Sequence, residues 1–266
     1  VRRSNSHIRI GTFQRLKYLN DYDSIALLLN HISENYFTNI KPNKNINILA
    51  ENIFLESVKR IAESIGRIII SGFVHGVLNT DNFNVTGEVF DYGPWRFIEF
   101  ANTSFTAAYF DNHGRYSFGK QPEAALWALT QLGKSLDEFI DEKLIIEILN
   151  QFSKNFHESL KKHFCWRMGI QDIDSNNLNK ILVILLNESE KNKIVYSNIF
   201  YDFYGGKPSI IDCIKTNNGK KYKINDFSKV VDILKESFPA KGVLGKKHKL
   251  DNNRQNLLIE EVEDIW

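Results

Sequence analysis

An adjacent Asp81 and Asn82, followed nine positions later by Asp91, put two carboxylates and an amide oxygen into one short stretch, HGVLNTDNFNVTGEVFDYGP at residues 75–94. Oxygen donors of this kind suit a hard divalent cation, and a cation held by one or two carboxylates ordinarily completes its shell with phosphate oxygens and water. The chemistry open to such a set is metal-assisted transfer of a phosphorus-centred group, with one carboxylate left to orient or deprotonate an attacking hydroxyl. Asp-Tyr-Gly-Pro is also a good turn sequence, and Asp81 and Asn82 are residue types that cap local turns. The spacing alone therefore leaves a purely structural reading open.

Elements on either side must position these groups. The intervening FNVTGEVFD predicts a tight hairpin turning near Thr86 and Gly87, which would bring Asn82 and Asp91 side by side. Ahead of it, Ile53, Phe54, Val58, Ile61, Ile65 and Ile68 recur at three- and four-residue steps, so residues 48–70 read as a long buried helix stopped at Ser71 and Gly72. Further amphipathic helices are predicted over residues 19–37, 121–132 with Pro122 in the first turn, 143–164, 178–189, 226–238 and 254–265. The pattern is mainly α with a small β-hairpin.

Composition narrows the class. A chain of 266 residues that is 42% hydrophobic and 25% charged can bury one or two globular cores. A net charge of +2 is too small to argue for nucleic acid, and GKKYK and GKKHK read as solvated loops. No run approaches the roughly 18 apolar residues of a membrane span. Cys165 and Cys213 stand far apart without metal-ligand spacing and are expected to be reduced thiols. The first residue is Val and the single Met is Met168, so the beginning of the protein is expected to be missing.

The order of parts resembles a protein kinase, in which an Asp and an Asn after a buried helix precede a short hairpin and an Asp-Phe-Gly turn. Four blocks make the likeness more specific: SHIRIGTFQ at residues 6–14, HGVLNTDN at 75–82, DYGPWRF at 91–97 and HGRYSFGKQPEAALWAL at 113–129. Together they resemble the SelO (YdiU) family of protein adenylyltransferases, densely from about residue 2 to 136 and thinly afterwards. The resemblance implies the C-lobe of a protein-kinase-like fold in residues 1–136, with a helical C-terminal region in 137–266. The N-lobe, with its glycine-rich loop and Lys, is expected to be absent.

Site roles follow from the resemblance, residue by residue. Asp91 would bind metal and nucleotide, Asn82 would be a second metal ligand, and Asp81 would be the catalytic base. Arg2 and Arg9 would hold nucleotide phosphates, with Arg3 the alternative to Arg2 after a one-residue slip. Their seven-residue spacing would place both on one face if that segment were helical. His75 is expected to pack and hydrogen bond, while His113 and Arg115 receive no chemical role. Where bacterial members often carry a Cys, this chain has Ala107, so the resemblance does not by itself imply redox control there.

The implied activity is transfer of AMP from ATP to Ser, Thr or Tyr hydroxyls of protein substrates, with Mg2+ or Mn2+, in the bacterial cytoplasm. No nucleic acid or membrane partner is expected. The same residues also admit a kinase-like attack on the γ-phosphate. An inactive C-lobe fragment is the third reading, and these residues alone are expected to bind ATP weakly and turn over little.

Overall fold

The computed structural model describes residues 4–224, 226–243 and 258–265. Residues 4–9 run without helix, and the chain then forms α1 (Ile10–Tyr18) and α2 (Tyr22–Asn35). The side chain of Asp21 opens α2 by accepting from the Ser24 amide, and Asn45 does the same for α3 (Ile46–Ser71) from the Asn47 amide. The apolar stripe of α3 is buried as its spacing predicts. Gly72 ends the helix at φ +76°, where its amide closes onto the Ile68 and Ile69 carbonyls, at the predicted stop.

β1 (Phe73–Val74) and β2 (Arg96–Phe97) make the only sheet among the described residues, antiparallel, with Phe73 opposite Phe97 and Val74 opposite Arg96. The expected hairpin near Thr86 and Gly87 is present as a turn rather than as paired strands. The Gly87 amide donates to the Asn84 carbonyl at 3.0 Å, Asn84 to the Glu88 carbonyl at 2.9 Å, and Phe83 bridges Val89. Residues 4–9 lie along the other edge of this segment. Arg9 bridges Asn84, and the Val85 amide donates to the Ile8 carbonyl at 3.0 Å.

After the loop come α4 (Gln121–Ser135), α5 (Glu142–Met168), α6 (Ser175–Glu188), α7 (Tyr196–Asp202), α8 (Lys207–Cys213), α9 (Phe227–Leu234) and α10 (Ile259–Ile265). The fold is thus mainly helical with a small two-stranded antiparallel sheet. The predicted helix over 226–238 is shorter, and residues 254–257 of the last predicted helix lie outside the described residues. Among the described residues, no helix is long and apolar enough to cross a membrane.

Burial divides into two hydrophobic clusters. One joins α1 to α4 with the first half of α5 and takes in Leu78, Phe83, Val85 and Val89 of the loop. The other joins the second half of α5 to α6–α9 and takes in Ile70, Val74 and Ile98 at the loop's ends. α5 therefore serves both cores, and Ser159 on it donates to the Glu63 carbonyl of α3 at 2.7 Å.

Candidate functional site

His75 is the centre of the loop that carries the predicted groups. It is fully buried, its Nδ1 accepts from the Val77 amide at 3.3 Å, and its Nε2 lies 2.8 Å from the Phe90 carbonyl. An acceptor at Nδ1 and a carbonyl at Nε2 assign the proton to Nε2. The ring thus links the start of the loop to the residue before Asp91. Gln121, fully buried at the head of α4, holds the same strand by its backbone: its Oε1 accepts from the His75 amide at 3.1 Å and its Nε2 donates to the Phe73 carbonyl at 3.0 Å.

Asn82 is buried, and its Nδ2 donates to the Val77 carbonyl at 2.8 Å. Only the amide nitrogen can donate, so this bond fixes the flip and leaves Oδ1 as the side chain's acceptor oxygen. The Asn82 carbonyl accepts from the Phe90 amide at 3.3 Å. That bond brings Asn82 to the residue beside Asp91, as the spacing predicts. Asn79 holds the other side, its Oδ1 accepting from the amides of Asp81 at 3.0 Å and Asn82 at 3.1 Å.

The two carboxylates, by contrast, face outward: Asp81 and Asp91 are exposed. Asp91 has φ +59°, a left-handed conformation in which Asp and Asn are enriched among non-glycine residues. The Gly93 amide donates to its carbonyl at 2.9 Å.

Arg9 stands at the N-cap of α1 with extended backbone, φ −79° and ψ 150°. A helical face shared with Arg2 is therefore corrected: the segment is held extended by its pairing with Asn84 and Val85. Arg2 lies outside the described residues. The Arg9 guanidinium sits over the Phe90 ring, 4.4 Å from its centroid, which places a cation next to Asp91 in the chain.

Sequence reasoning passed over Gly11 and Gln121. The Ile10 amide donates to the Phe83 carbonyl at 2.9 Å and the Gly11 amide to Thr80 at 3.0 Å, so the head of α1 is docked on the loop. A Cβ on Gly11 would stand 2.1 Å from Asp81 Oδ1. Gly11 is required there for the carboxylate to lie across the first turn of α1. The signals were a glycine directly after Ile10 in the SHIRIGTFQ block and a Gln ahead of Pro122.

The donor set fits a divalent cation of the magnesium type: two exposed carboxylates and one oriented amide oxygen, all hard oxygen ligands. Among the described residues no three His, Cys, Asp or Glu side chains cluster as a self-sufficient metal cage. A cation held by so few side chains would complete its shell with water or phosphate oxygens. A groove of ≈ 950 Å³ lies nearby between α3 and the loop, lined by Lys59, Glu63, Thr86, Glu88, Tyr92 and Trp95 among others, with neither Asp81 nor Asp91 in its wall.

A family model described as protein adenylyltransferase SelO matches residues 1–238. A protein nucleotidyltransferase YdiU of Trichormus variabilis is 36% identical over 202 residues, covering 76% of this chain and 41% of the relative. That of Synechocystis is 42% identical over 58% of this chain and 32% of the relative. That of Pelagibacter ubique is 28% identical over 92% of this chain and 53% of the relative. The chain thus matches about half or less of the length of these relatives. With the match running through both the docked N-terminal segment and the His75-centred loop, the chain belongs to the SelO family.

Proposed function

We propose that the full-length protein moves AMP from ATP to the hydroxyl of a Ser, Thr or Tyr on another protein and releases pyrophosphate. The observation that carries this reading is the combination of two exposed carboxylates with a locked backbone. His75 and Asn82 tie Val77, Phe90 and the residues between them into one geometry, while Asp81 and Asp91 remain open to ligand. Membership of a family described as protein adenylyltransferases supports AMP as the group transferred. The order of buried helix, Asp-Asn loop, turn and Asp-Tyr-Gly supports assigning the site-bearing part to the C-lobe of a kinase-like fold.

Asp81, set across the head of α1, orients the acceptor hydroxyl and takes its proton as the oxygen attacks the α-phosphorus. A bond from that oxygen to phosphorus forms, the bond from phosphorus to the β-bridging oxygen breaks, and pyrophosphate leaves with the electron pair. Asn82 Oδ1 and the Asp91 carboxylate would hold Mg2+ or Mn2+, which when bound neutralises phosphate charge. Arg9 donates to phosphate oxygens from beside Phe90, and Arg2 is assigned the same task.

The test is the intact mass of an acceptor protein after incubation with the full-length protein, ATP and Mg2+ or Mn2+. A gain of one adenylate per modified hydroxyl is expected, and Asp81→Asn should remove it. A gain of phosphate would replace this reading with attack at the γ-phosphorus.

A further inference from the structure

The loop of residues 72–99 has its ends held by two residues from the second cluster, more than sixty positions away. At the entry, the Tyr196 hydroxyl lies 3.2 Å from the Ile69 carbonyl and 3.3 Å from that of Ile70, and Arg167 donates to the Ile70 carbonyl as well. These are carbonyls of the last turn of α3, where helical hydrogen bonding runs out; that of Ile69 also accepts from the Gly72 amide at 3.1 Å. At the exit, the Tyr196 amide donates to the Glu99 carbonyl at 2.7 Å. The Ile98 amide donates across to Gly72 at 2.9 Å, and a Cβ on Gly72 would meet the Tyr196 ring at 3.0 Å. One residue thus touches both ends of the segment that carries Asp81, Asn82 and Asp91.

Arg167 makes no ion pair among the described residues. Its guanidinium lies 4.0 Å from the Phe200 centroid and 5.5 Å from that of Tyr196, with the carbonyl end of α3 as its electrostatic partner. A cation at a helix C-terminus is favoured by the aligned peptide dipoles. Burial holds the Tyr196 hydroxyl in its neutral donor form, with its pKa pushed up to about 12. A partly buried Arg without a carboxylate is an expensive way to fill space. Its value here lies in where it anchors the backbone.

We propose that Arg167 and Tyr196 are positioning residues of the transfer site: they pin Ile69, Ile70 and Glu99 and so set the span of the loop that presents its oxygen ligands. This rests on reading that loop as the metal and nucleotide site. It gives the C-terminal helices a task in the chemistry without contact to substrate.

The test compares Tyr196→Phe, which removes only the hydroxyl, and Arg167→Met, which keeps the stem, with Ile181→Ala, a core truncation in the same cluster away from the anchor. Amide hydrogen exchange and Mn2+–ATP affinity are read on the full-length protein at matched global stability. Tyr196→Phe and Arg167→Met should each speed exchange at the Ile98 and Phe90 amides about fivefold, the worth of one lost hydrogen bond. They should weaken Mn2+–ATP by a similar factor, with Arg167→Lys partly restoring both. Ile181→Ala should leave both readouts unchanged. Exchange in residues 72–99 that does not distinguish the anchor variants from Ile181→Ala overturns the proposal. If exchange responds as stated but neither wild type nor variants bind Mn2+–ATP, the bracing of the loop stands and its reading as a nucleotide site fails. Should Arg167→Met fail to fold, Tyr196→Phe alone decides.

Discussion

The two hydrophobic clusters share α5 and are both helical, yet they handle the 72–99 loop differently. The first supports its middle from below, with Leu78, Phe83, Val85 and Val89 buried among α1 to α4. The second grips its ends, through Ile70, Val74 and Ile98 and the polar bonds of Arg167 and Tyr196. Support from the first cluster fixes where each side chain stands. The grip of the second fixes how far apart the ends of the loop are. A site whose carboxylates face outward on a locked backbone needs both, because neither Asp81 nor Asp91 is buried deeply enough to be held by packing.

The largest effect is expected at Gly11, on the first cluster's side. Alanine there would drive a methyl into Asp81, displacing the carboxylate by an ångström or more, and transfer should fall about a hundredfold. Denaturant unfolding should lose only about 1–3 kcal/mol, the usual cost of overpacking. Next is Gln121, which satisfies two backbone groups of the loop's first strand at once. Gln121→Leu removes the side chain that accepts from the His75 amide and donates to the Phe73 carbonyl, and urea denaturation should show a loss of about 2–4 kcal/mol.

In the second cluster, Cys165 reports on how tightly the core is closed. Burial pushes the Cys165 thiol up to about 11, so roughly one molecule in a thousand carries the thiolate at pH 8. A thiol reagent should label half-exposed Cys213 first and Cys165 only on unfolding; equal rates would mean that this core opens freely. The smallest effect belongs to the seam between α3 and α5. Lys162, hydrogen bonded at 2.7 Å, holds the Glu63 carboxyl below its usual range. A lowered carboxyl pKa adds stability above its unfolded value, and the gain is lost as pH falls through the folded one. Solvent reaches both partners, so Glu63→Gln should cost only about 0.5 kcal/mol at pH 7 and less as pH falls, by urea denaturation at pH 7 and in acid.

Much of the first cluster was legible because its signals are local. The stripe from Ile53 to Ile68 named α3, Gly72 named its end, and the spacing of Asn82 and Asp91 named the turn between them. Short α1 was not foreseen, since only Ile10 and Phe13 of its nine residues are buried. The docking of residues 4–9 on Asn84 was equally hidden, because pairing with a segment some eighty positions away leaves no trace in periodicity. The same holds for Gly11, whose space is set by Asp81, and for Arg167 and Tyr196, whose partners are backbone carbonyls of a distant helix. Side chains that bind backbone do not announce their targets in sequence.

In the proposed function, Asp91 holds a metal–nucleotide complex on this loop. Titration of Mn2+ into the full-length protein with ATP, followed by the loss of the free-ion paramagnetic signal, tests it directly when wild type is set beside Asp91→Asn. Asn tolerates the left-handed backbone at this position, so the substitution removes charge and leaves the turn. The predicted result is a bound ion whose affinity falls by about tenfold or more in Asp91→Asn, as expected for loss of a charged ligand. Equal affinity in the two proteins would contradict the account.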